Sequence, residues 1–265
     1  MMKKYTGILL LLIVLGFNSC KEKDDPLPQS EQKVTFNFVH RLDGLPIEFD
    51  TMKYVNEAGN PYLVNEIQYF ISDVKLHLTD GSHYLIDEWK DMHYVDTDIP
   101  DTHRWEVFDN IPAGDYEKIS FTFGISEEKN HSFMFLNPPE RDMFWPEFLG
   151  GGYHYMKLNG KWQEPDNSIT PFDFHLGIGQ IYYSYPDSIT GYIHNAFEVE
   201  LPASSFSLAE NEKREFNIVM HVENWFRTPN AYDHNVWRGY IMQNQEAMAL
   251  ACENAHDVFT VEVME

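Results

Sequence analysis

The chain has 265 residues, and its 42 acidic side chains outnumber its 19 basic ones, which gives a formal net charge of −23. Such a protein lacks the basic face that binds nucleic-acid phosphates or anionic lipids non-specifically. Hydrophobic residues make up 43% of the chain and aromatic residues 15%, which excludes a disordered polymer. Because Cys20 and Cys252 are its only cysteines, a disulfide scaffold and a four-cysteine zinc site are also excluded.

The first twenty residues have the pattern of an export signal. Two lysines precede an apolar run at residues 8–17, which is shorter than the roughly 20 residues that span a bilayer. Cys20 follows this run and resembles the lipobox cysteine of bacterial lipoproteins, which carries the lipid anchor of the mature chain. We therefore expect a lipoprotein signal peptide at residues 1–19, a lipidated Cys20 and a polar tether at residues 20–32. The protein would then be anchored to the outer membrane of a Gram-negative cell envelope, with the surface and periplasmic faces both open.

Beyond residue 30 the dominant sequence period is two, which is typical of half-buried strands. Apolar and polar residues alternate in four runs, at residues 34–38, 74–78, 119–123 and 216–222. Turn residues such as Asp43-Gly44 and Asn159-Gly160 punctuate the chain. Further strands are expected at residues 152–158, 171–178, 192–201 and 257–263, and one helix at residues 242–254. The pattern predicts an all-β, single-domain β-sandwich over residues 33–265, with Greek-key connections.

One long segment, residues 130–152, departs from the strand rhythm. It contains Phe144, Trp145 and Phe148 and ends in three consecutive glycines. Loops of this length in compact domains are usually functional or disordered, and the aromatic content argues against disorder. The segment is therefore either a hydrophobic lid over one end of the sandwich or a ligand-binding loop.

No catalytic motif appears in the sequence. A nucleophile elbow, a phosphate loop, a dinucleotide fingerprint and a zinc-protease helix motif are all missing. We therefore expect a binding protein rather than an enzyme. Among the 12 histidines, His40, His154 and His175 lie within or beside predicted strands, where all-β proteins assemble metal sites from separate strands. A purely structural role remains open for each of them.

A series of short stretches spans nearly the whole mature chain in a distinctive order. They are FVHRLDG at residues 38–44, IQYFISDVKL at 67–76, IPAGDY at 111–116, ISFTFGI at 119–125, MFW at 143–145, GYHYMKL at 152–158, FHLG at 174–177, NWF at 224–226 and DVF at 257–259. Together they resemble the MbnP-like family, which comprises copper-binding envelope proteins associated with methanobactin and many uncharacterised lipoprotein relatives.

The resemblance implies a β-sandwich with one copper ion held by two histidines and a tryptophan that is oxidised to kynurenine. The residues that correspond are His175 of FHLG, His40 of FVHRLDG and Trp145 of MFW, and His154 is a further candidate ligand. Which of the histidines pair stays open. Phe148 stands where a second tryptophan is common, and the cysteines often found after His-Leu-Gly are replaced by a tyrosine-rich stretch.

These observations favour a lipid-anchored envelope protein that binds one copper ion through histidines. The alternative is a metal-free surface lipoprotein that binds a glycan or a protein through an aromatic face. That face would comprise Phe144, Trp145, Phe148, Tyr153 and Tyr155, because aromatic rings with polar neighbours suit sugars. A structural envelope component without a small ligand would instead expose a large apolar patch. The expected partners are a membrane, through the anchor, and a metal ion, but no nucleic acid.

Overall fold

A computed structural model of the protein describes residues 31–264. The predicted signal peptide, Cys20 and most of the predicted tether lie outside these described residues. The strands are β1 (Lys33–Leu42), β2 (Leu45–Pro46), β3 (Tyr54–Val55), β4 (Pro61–Leu78), β5 (His83–Leu85), β6 (Met92–Asp96), β7 (Arg104–Glu106), β8 (Gly114–Phe123), β9 (Met156–Gln163), β10 (Ile169–Leu176), β11 (Ile178–Ser184), β12 (Ser188–His194), β13 (Phe197–Leu201), β14 (Phe206–Leu208), β15 (Lys213–His221) and β16 (Phe259–Val263).

Helices are short in this part of the chain. The α-helices are α1 (His234–Trp237) and α2 (Gln245–Asn254), and the 3-10 helices are Pro100–His103, Glu140–Met143, Glu147–Leu149, Val222–Phe226 and Ala255–Asp257. The side chain of Asn244 caps α2 by accepting a hydrogen bond from the backbone N–H of Ala247. Within residues 31–264, no helix is long and apolar enough to cross a membrane.

The strands form two large sheets and a separate hairpin. The smaller sheet has the order β16-β15-β1-β2, and β7 pairs with another stretch of β1. The larger sheet has the order β10-β9-β4-β8-β13, with β3, β5 and β6 on β4 and β14 on β8, while β11 and β12 form the hairpin. The expected all-β sandwich with a short C-terminal helix is confirmed. Strands β1 and β15 run parallel, an arrangement that a purely antiparallel Greek key does not contain.

Aromatic side chains pack between the two sheets. Phe38 of β1 lies edge-on to Tyr69 of β4, with ring centroids 6.4 Å apart, and Phe121 of β8 lies edge-on to Phe259 of β16 at 5.4 Å. These rings are buried because every second residue of each strand faces the opposite sheet. The period-two pattern of the sequence therefore marks the core.

The aromatic loop covers the outer face of the larger sheet. Phe70 and the preceding residue, Tyr69, point to opposite faces of the sheet. The ring of Phe70 stacks on Phe135, with centroids 5.4 Å apart, and lies edge-on to Tyr153, with centroids 6.5 Å apart. Both Phe70 and Tyr153 are buried. The loop thus acts as a lid on the flank of the sandwich, and it gives the larger sheet a second buried face.

Several element boundaries differ from the sequence prediction for identifiable reasons. Strand β9 begins at Met156 rather than residue 152, because three glycines with positive φ turn the chain first. The expected strand at 192–201 is divided between β12 and β13, which belong to different sheets. Asn159-Gly160 is not a turn but lies inside β9, where a Cβ at Gly160 would clash with the carbonyl oxygen of Leu63 and the ring of Phe172. Gly160 is there for close packing.

Candidate metal centre

Two histidines and a tryptophan meet on the outer face of the larger sheet. His175 lies on β10 between Phe174 and Leu176, which point into the core, so its ring points outward. His154 lies just before β9, and its ring centroid is 5.1 Å from that of His175 at an interplanar angle of 84°. Trp145 approaches His154 edge-on, with centroids 4.6 Å apart.

The tautomer of His154 follows from its hydrogen bonds. The carbonyl oxygen of Met143 accepts from the backbone N–H of His154 at 2.7 Å and from its ring Nδ1 at 2.9 Å. A carbonyl can only accept, so Nδ1 carries the proton and Nε2 has a free lone pair. That Nε2 is buried and has no hydrogen-bond partner.

His175 has the complementary tautomer. Its Nε2 lies 2.7 Å from Oδ1 of Asn159, and Nδ2 of the same amide donates to Oε2 of Glu66 at 3.3 Å. Because the amide nitrogen faces a carboxylate, Oδ1 must accept from the histidine, so Nε2 is protonated. The lone pair of His175 is therefore on Nδ1, which is also buried and has no partner.

The distance between the two rings is compatible with one shared metal ion. Two imidazoles bonded to one ion at about 2.0–2.1 Å have centroids roughly 4.5–6.3 Å apart, for bond angles from a right angle to linear, and the observed 5.1 Å lies in this range. Each ring also has the outer hydrogen-bond acceptor that is usual for metal-bound histidine. A buried polar atom without a partner is costly, and an ion shared by His154 and His175 would satisfy both of these nitrogens.

The electrostatic environment keeps both rings neutral. Burial lowers the pKa of His175 to about 3, with a smaller contribution from Lys157. Burial also lowers the pKa of His154 well below its ordinary value, and His175 and Lys157 add to this effect. Neutral imidazole is the form that binds metals. Within residues 31–264, no group of three or more His, Cys, Asp or Glu side chains could hold a metal. The candidate centre described here has two histidines.

Trp145 is held rigidly beside the pair. Its ring is fully buried, and its Nε1 donates to the carbonyl oxygen of Leu149 at 3.2 Å. Gly177, in the His-Leu-Gly motif, packs closely against the indole, because a Cβ added at this position would come within 2.6 Å of the ring. The glycine of this motif therefore makes room for the tryptophan.

The structure places His40 elsewhere. It lies on β1, in the smaller sheet. Its ring centroid is 5.7 Å from that of Tyr69 and 5.9 Å from that of His103. Its Nε2 is buried without a partner, but it faces the space between the sheets, whereas His175 faces outward. Of the four predicted metal residues, the structure brings together His154, His175 and Trp145 but not His40.

The expected exposed aromatic face is not what the structure shows. Trp145, Tyr153 and Tyr155 are almost completely buried, because the loop folds back onto β4. Phe144 is half-buried, and Phe148 is exposed. A sugar ring needs several accessible aromatic faces, so these five residues do not form a platform for one.

Sequence reasoning missed Asn159, Met143 and Gly177. The sequence predicts a turn at Asn159, because Asn-Gly is a strong hairpin signal. Its strand register opposite Asp173, two residues before His175, brings it to the histidine. The contribution of Met143 is a backbone carbonyl, which no residue type reveals. The glycine after His-Leu was visible in the sequence, and a requirement for close packing could have been suspected there.

Comparisons with known proteins agree with this architecture. A sequence model of the MbnP family matches residues 31–246. The solved structure of MbnP from Methylosinus trichosporium is similar, with a TM-score of 0.53 and 14% sequence identity, and the similarity covers 88% of this chain and 99% of that one. At this identity the likeness shows the fold alone. No curated protein sequence matches the chain.

Proposed function

The chain belongs to the MbnP family, and from this premise we propose that it is a copper-binding protein that holds one ion between His154 and His175. The observation that carries the proposal is the pair of buried ring nitrogens, Nε2 of His154 and Nδ1 of His175, which lack hydrogen-bond partners. Their rings are 5.1 Å apart and already have the tautomers that a shared ion needs.

The donor set favours copper over harder ions. Imidazole suits both copper states, and a site with only two nitrogen donors suits the cuprous ion, which accepts low coordination numbers. Intact tryptophan offers an N–H donor and no lone pair, so Trp145 in that form shapes the site without ligating. The resemblance to the family also implies oxidation of this residue, and intact-mass measurement of protein isolated from cells tests it separately.

The proposed role is binding, not catalysis, at the cell envelope. The apolar run at residues 8–17 and Cys20 support a lipid anchor on the outer membrane, with residues 20–32 as its tether. Metabolic labelling with a palmitate analogue tests the anchor. Label should enter the wild type and be lost from Cys20→Ser, whereas Cys252→Ser should retain it.

Copper binding is tested by reconstitution. The protein is loaded with cuprous ion under reducing conditions, passed over a desalting column and assayed by elemental analysis. We expect about one copper per chain, and its loss in His154→Phe and in His175→Phe, because each variant removes one of two donors. His40→Phe is the matched control, since it also removes a buried ring with an unpartnered nitrogen, and it should retain the metal.

Two outcomes would overturn the proposal. One is wild-type protein that retains no copper although circular dichroism shows it folded. The other is copper that survives in the folded His154→Phe and His175→Phe variants but disappears from His40→Phe, which would place the ion between the sheets.

A further inference from the structure

A second candidate site lies on the β11–β12 side of the molecule and includes none of the residues assigned above. It is a cleft of about 720 Å³ between the β11 hairpin and the segment that leads into α2, and ligand pockets typically have about 300–1,000 Å³. Three tyrosines line it: Tyr182, Tyr185 and Tyr240. Tyr185 and Tyr240 are 66% and 68% exposed, which is unusual for rings of this size.

The tyrosine rings form an open corner. Tyr182 and Tyr185 have centroids 5.0 Å apart and lie nearly perpendicular, at 79°. The hydroxyl of Tyr182 also lies 3.4 Å from Oε1 of Gln243, another lining residue. A ligand in this corner would contact both rings and the amide of Gln243.

The remaining lining is polar but uncharged. It comprises one methionine, Met242, and four amide side chains, which are Gln180, Gln243, Asn244 and Gln245. None of the eight lining residues is acidic or basic. This is notable in a chain with 42 acidic and 19 basic side chains. Without a cation the cleft cannot neutralise a phosphate or a carboxylate, and without a carboxylate it cannot pair with an amine. The lining therefore suits a neutral ligand.

One lining side chain is held in place by the protein itself. Gln180 is only 3% exposed, and its Nε2 donates to the carbonyl oxygens of Leu149 and Ile178. These two bonds fix the orientation of the amide, and its Oε1 is buried as well. Gln180 is therefore a fixed part of the cleft wall.

We propose that this cleft binds a neutral carbohydrate. A sugar ring has an apolar C–H face that packs on tyrosine rings and a rim of hydroxyls that donate to and accept from amide side chains. Tyrosine rings and amide side chains without any charged group match this chemistry. The proposal does not require copper, because no lining residue is a proposed ligand.

The test is saturation-transfer NMR followed by titration calorimetry. The probes are neutral hexasaccharides of the maltose, cellulose, mannan and xylan series, together with an acidic hexagalacturonate and a basic glucosamine hexamer. We expect at least one neutral probe to bind the wild type and Tyr240→Ala to lower its affinity about tenfold, since truncation removes one ring face. Tyr183→Ala is the matched control, because Tyr183 lies on the same hairpin and is 86% exposed but does not line the cleft.

The proposal is overturned by any of three results. These are no binding of any neutral probe, equal binding by Tyr240→Ala and the wild type, or binding of a charged probe in preference to the neutral ones. A peptide library that binds where the sugars do not would also overturn it.

Discussion

At the scale of single residues, the candidate metal centre is defined by what surrounds the two imidazoles. Each ring uses one nitrogen for a protein acceptor and keeps the other free: His154 donates to Met143 and His175 to Asn159. Metal sites commonly depend on such outer partners, which fix ring orientation and raise ligand basicity. The same neighbours are therefore the best places to perturb the site without removing a ligand.

We expect Asn159→Ala to weaken copper binding by about 10- to 100-fold while the protein stays folded. The substitution removes the acceptor for Nε2 of His175, so the ring can rotate and exchange its tautomer. Competition titration with a chromophoric copper chelator measures the affinity. Asn37→Ala is the control, because Asn37 bonds to Asn217 in the other sheet and its loss should leave copper affinity unchanged. Equal affinities for both variants would show that the Asn159 bond does not position the ligand.

We expect Gly177→Ala to lower both the stability of the protein and its retention of copper at the proposed site. The new Cβ would come within 2.6 Å of the Trp145 ring, and overpacking of this kind costs about 1–3 kcal/mol. Urea unfolding should show the loss of stability, and elemental analysis should show weaker copper retention as the indole moves toward His154. Gly191→Ala is the control, since its Cβ would meet Ile181 at an ordinary 3.4 Å. If Gly177→Ala and the wild type unfold at the same urea concentration, the indole accommodates the added methyl group without strain, contrary to the expectation.

At the scale of elements, alternation predicted most strands but not their partners. The run at residues 34–38 and the run at 216–222 both have period two, yet nothing in either indicates that β1 and β15 pair in parallel. Alternation tells which residues share a face, but it does not tell which sheet that face belongs to. For this reason His40 and His175 were equally good candidates in the sequence, although they lie in different sheets.

The longest strand also contains an irregularity that the sequence pattern does not reveal. The register of β4 against β8 shifts between Ser72 and Lys75, and Asp73 between them has a φ of 51°. Aspartate tolerates this left-handed conformation better than most residues do, and Asp73 is also paired with Lys129 at 2.6 Å. The kink thus combines a backbone requirement with an ion pair.

Two substitutions of Asp73 separate these contributions. Asp73→Gly and Asp73→Ala both remove the carboxylate, but only glycine adopts the positive φ without steric cost. We expect the glycine variant to be more stable than the alanine variant by about 1 kcal/mol, measured as the free energy of unfolding in urea. The opposite order would mean that β4 straightens when the ion pair is removed.

At the scale of the whole molecule, the interior is unusually rich in neutral histidine. Burial lowers the pKa of His40, His93 and His234 to about 3. The sequence places His40 within a predicted strand. It predicts a solvent-facing His93, which is wrong because this ring is buried, and it is uninformative for His234. The tyrosine cleft was equally hidden, since Tyr182 and Tyr240 lie far apart in the chain and meet only through folding. Sequence reasoning identified residue types, and chain topology decided which of them meet.

These histidines should make the protein sensitive to acid. In the unfolded chain a histidine has a pKa near 6.5, so between about pH 3 and pH 6.5 the unfolded state binds protons that the folded state does not. Stability is therefore full above pH 6.5 and falls as the pH decreases. One such histidine accounts for a loss of about 2 kcal/mol between pH 7 and pH 5.

We expect His234→Phe to reduce the acid sensitivity of the protein by the contribution of one buried histidine. The His234 ring stacks on Phe172 at 4.4 Å, and neither of its nitrogens has a hydrogen-bond partner, so phenylalanine forfeits no bond. Asp233 opposes the lowering of the pKa, but burial is the larger effect. The free energy of unfolding in urea is measured at pH 7 and at pH 5. The loss of stability between these two pH values should be about 2 kcal/mol smaller in His234→Phe than in the wild type. His256→Phe, at an exposed position, should leave the difference unchanged; equal differences for all three proteins would exclude His234 as a source.

The carbonyl oxygen of Leu149 is bonded to residues of both the candidate metal centre and the tyrosine cleft. It accepts from Nε1 of Trp145 at 3.2 Å and from Nε2 of Gln180 at 2.9 Å, so one atom serves both the wall of the metal centre and the floor of the tyrosine cleft. A cleft ligand that shifts Gln180 would change the bond left to Trp145 and, through it, the affinity for copper. Thermodynamic linkage makes any such effect reciprocal: if a cleft ligand alters the affinity for copper, copper alters the affinity for that ligand by the same factor.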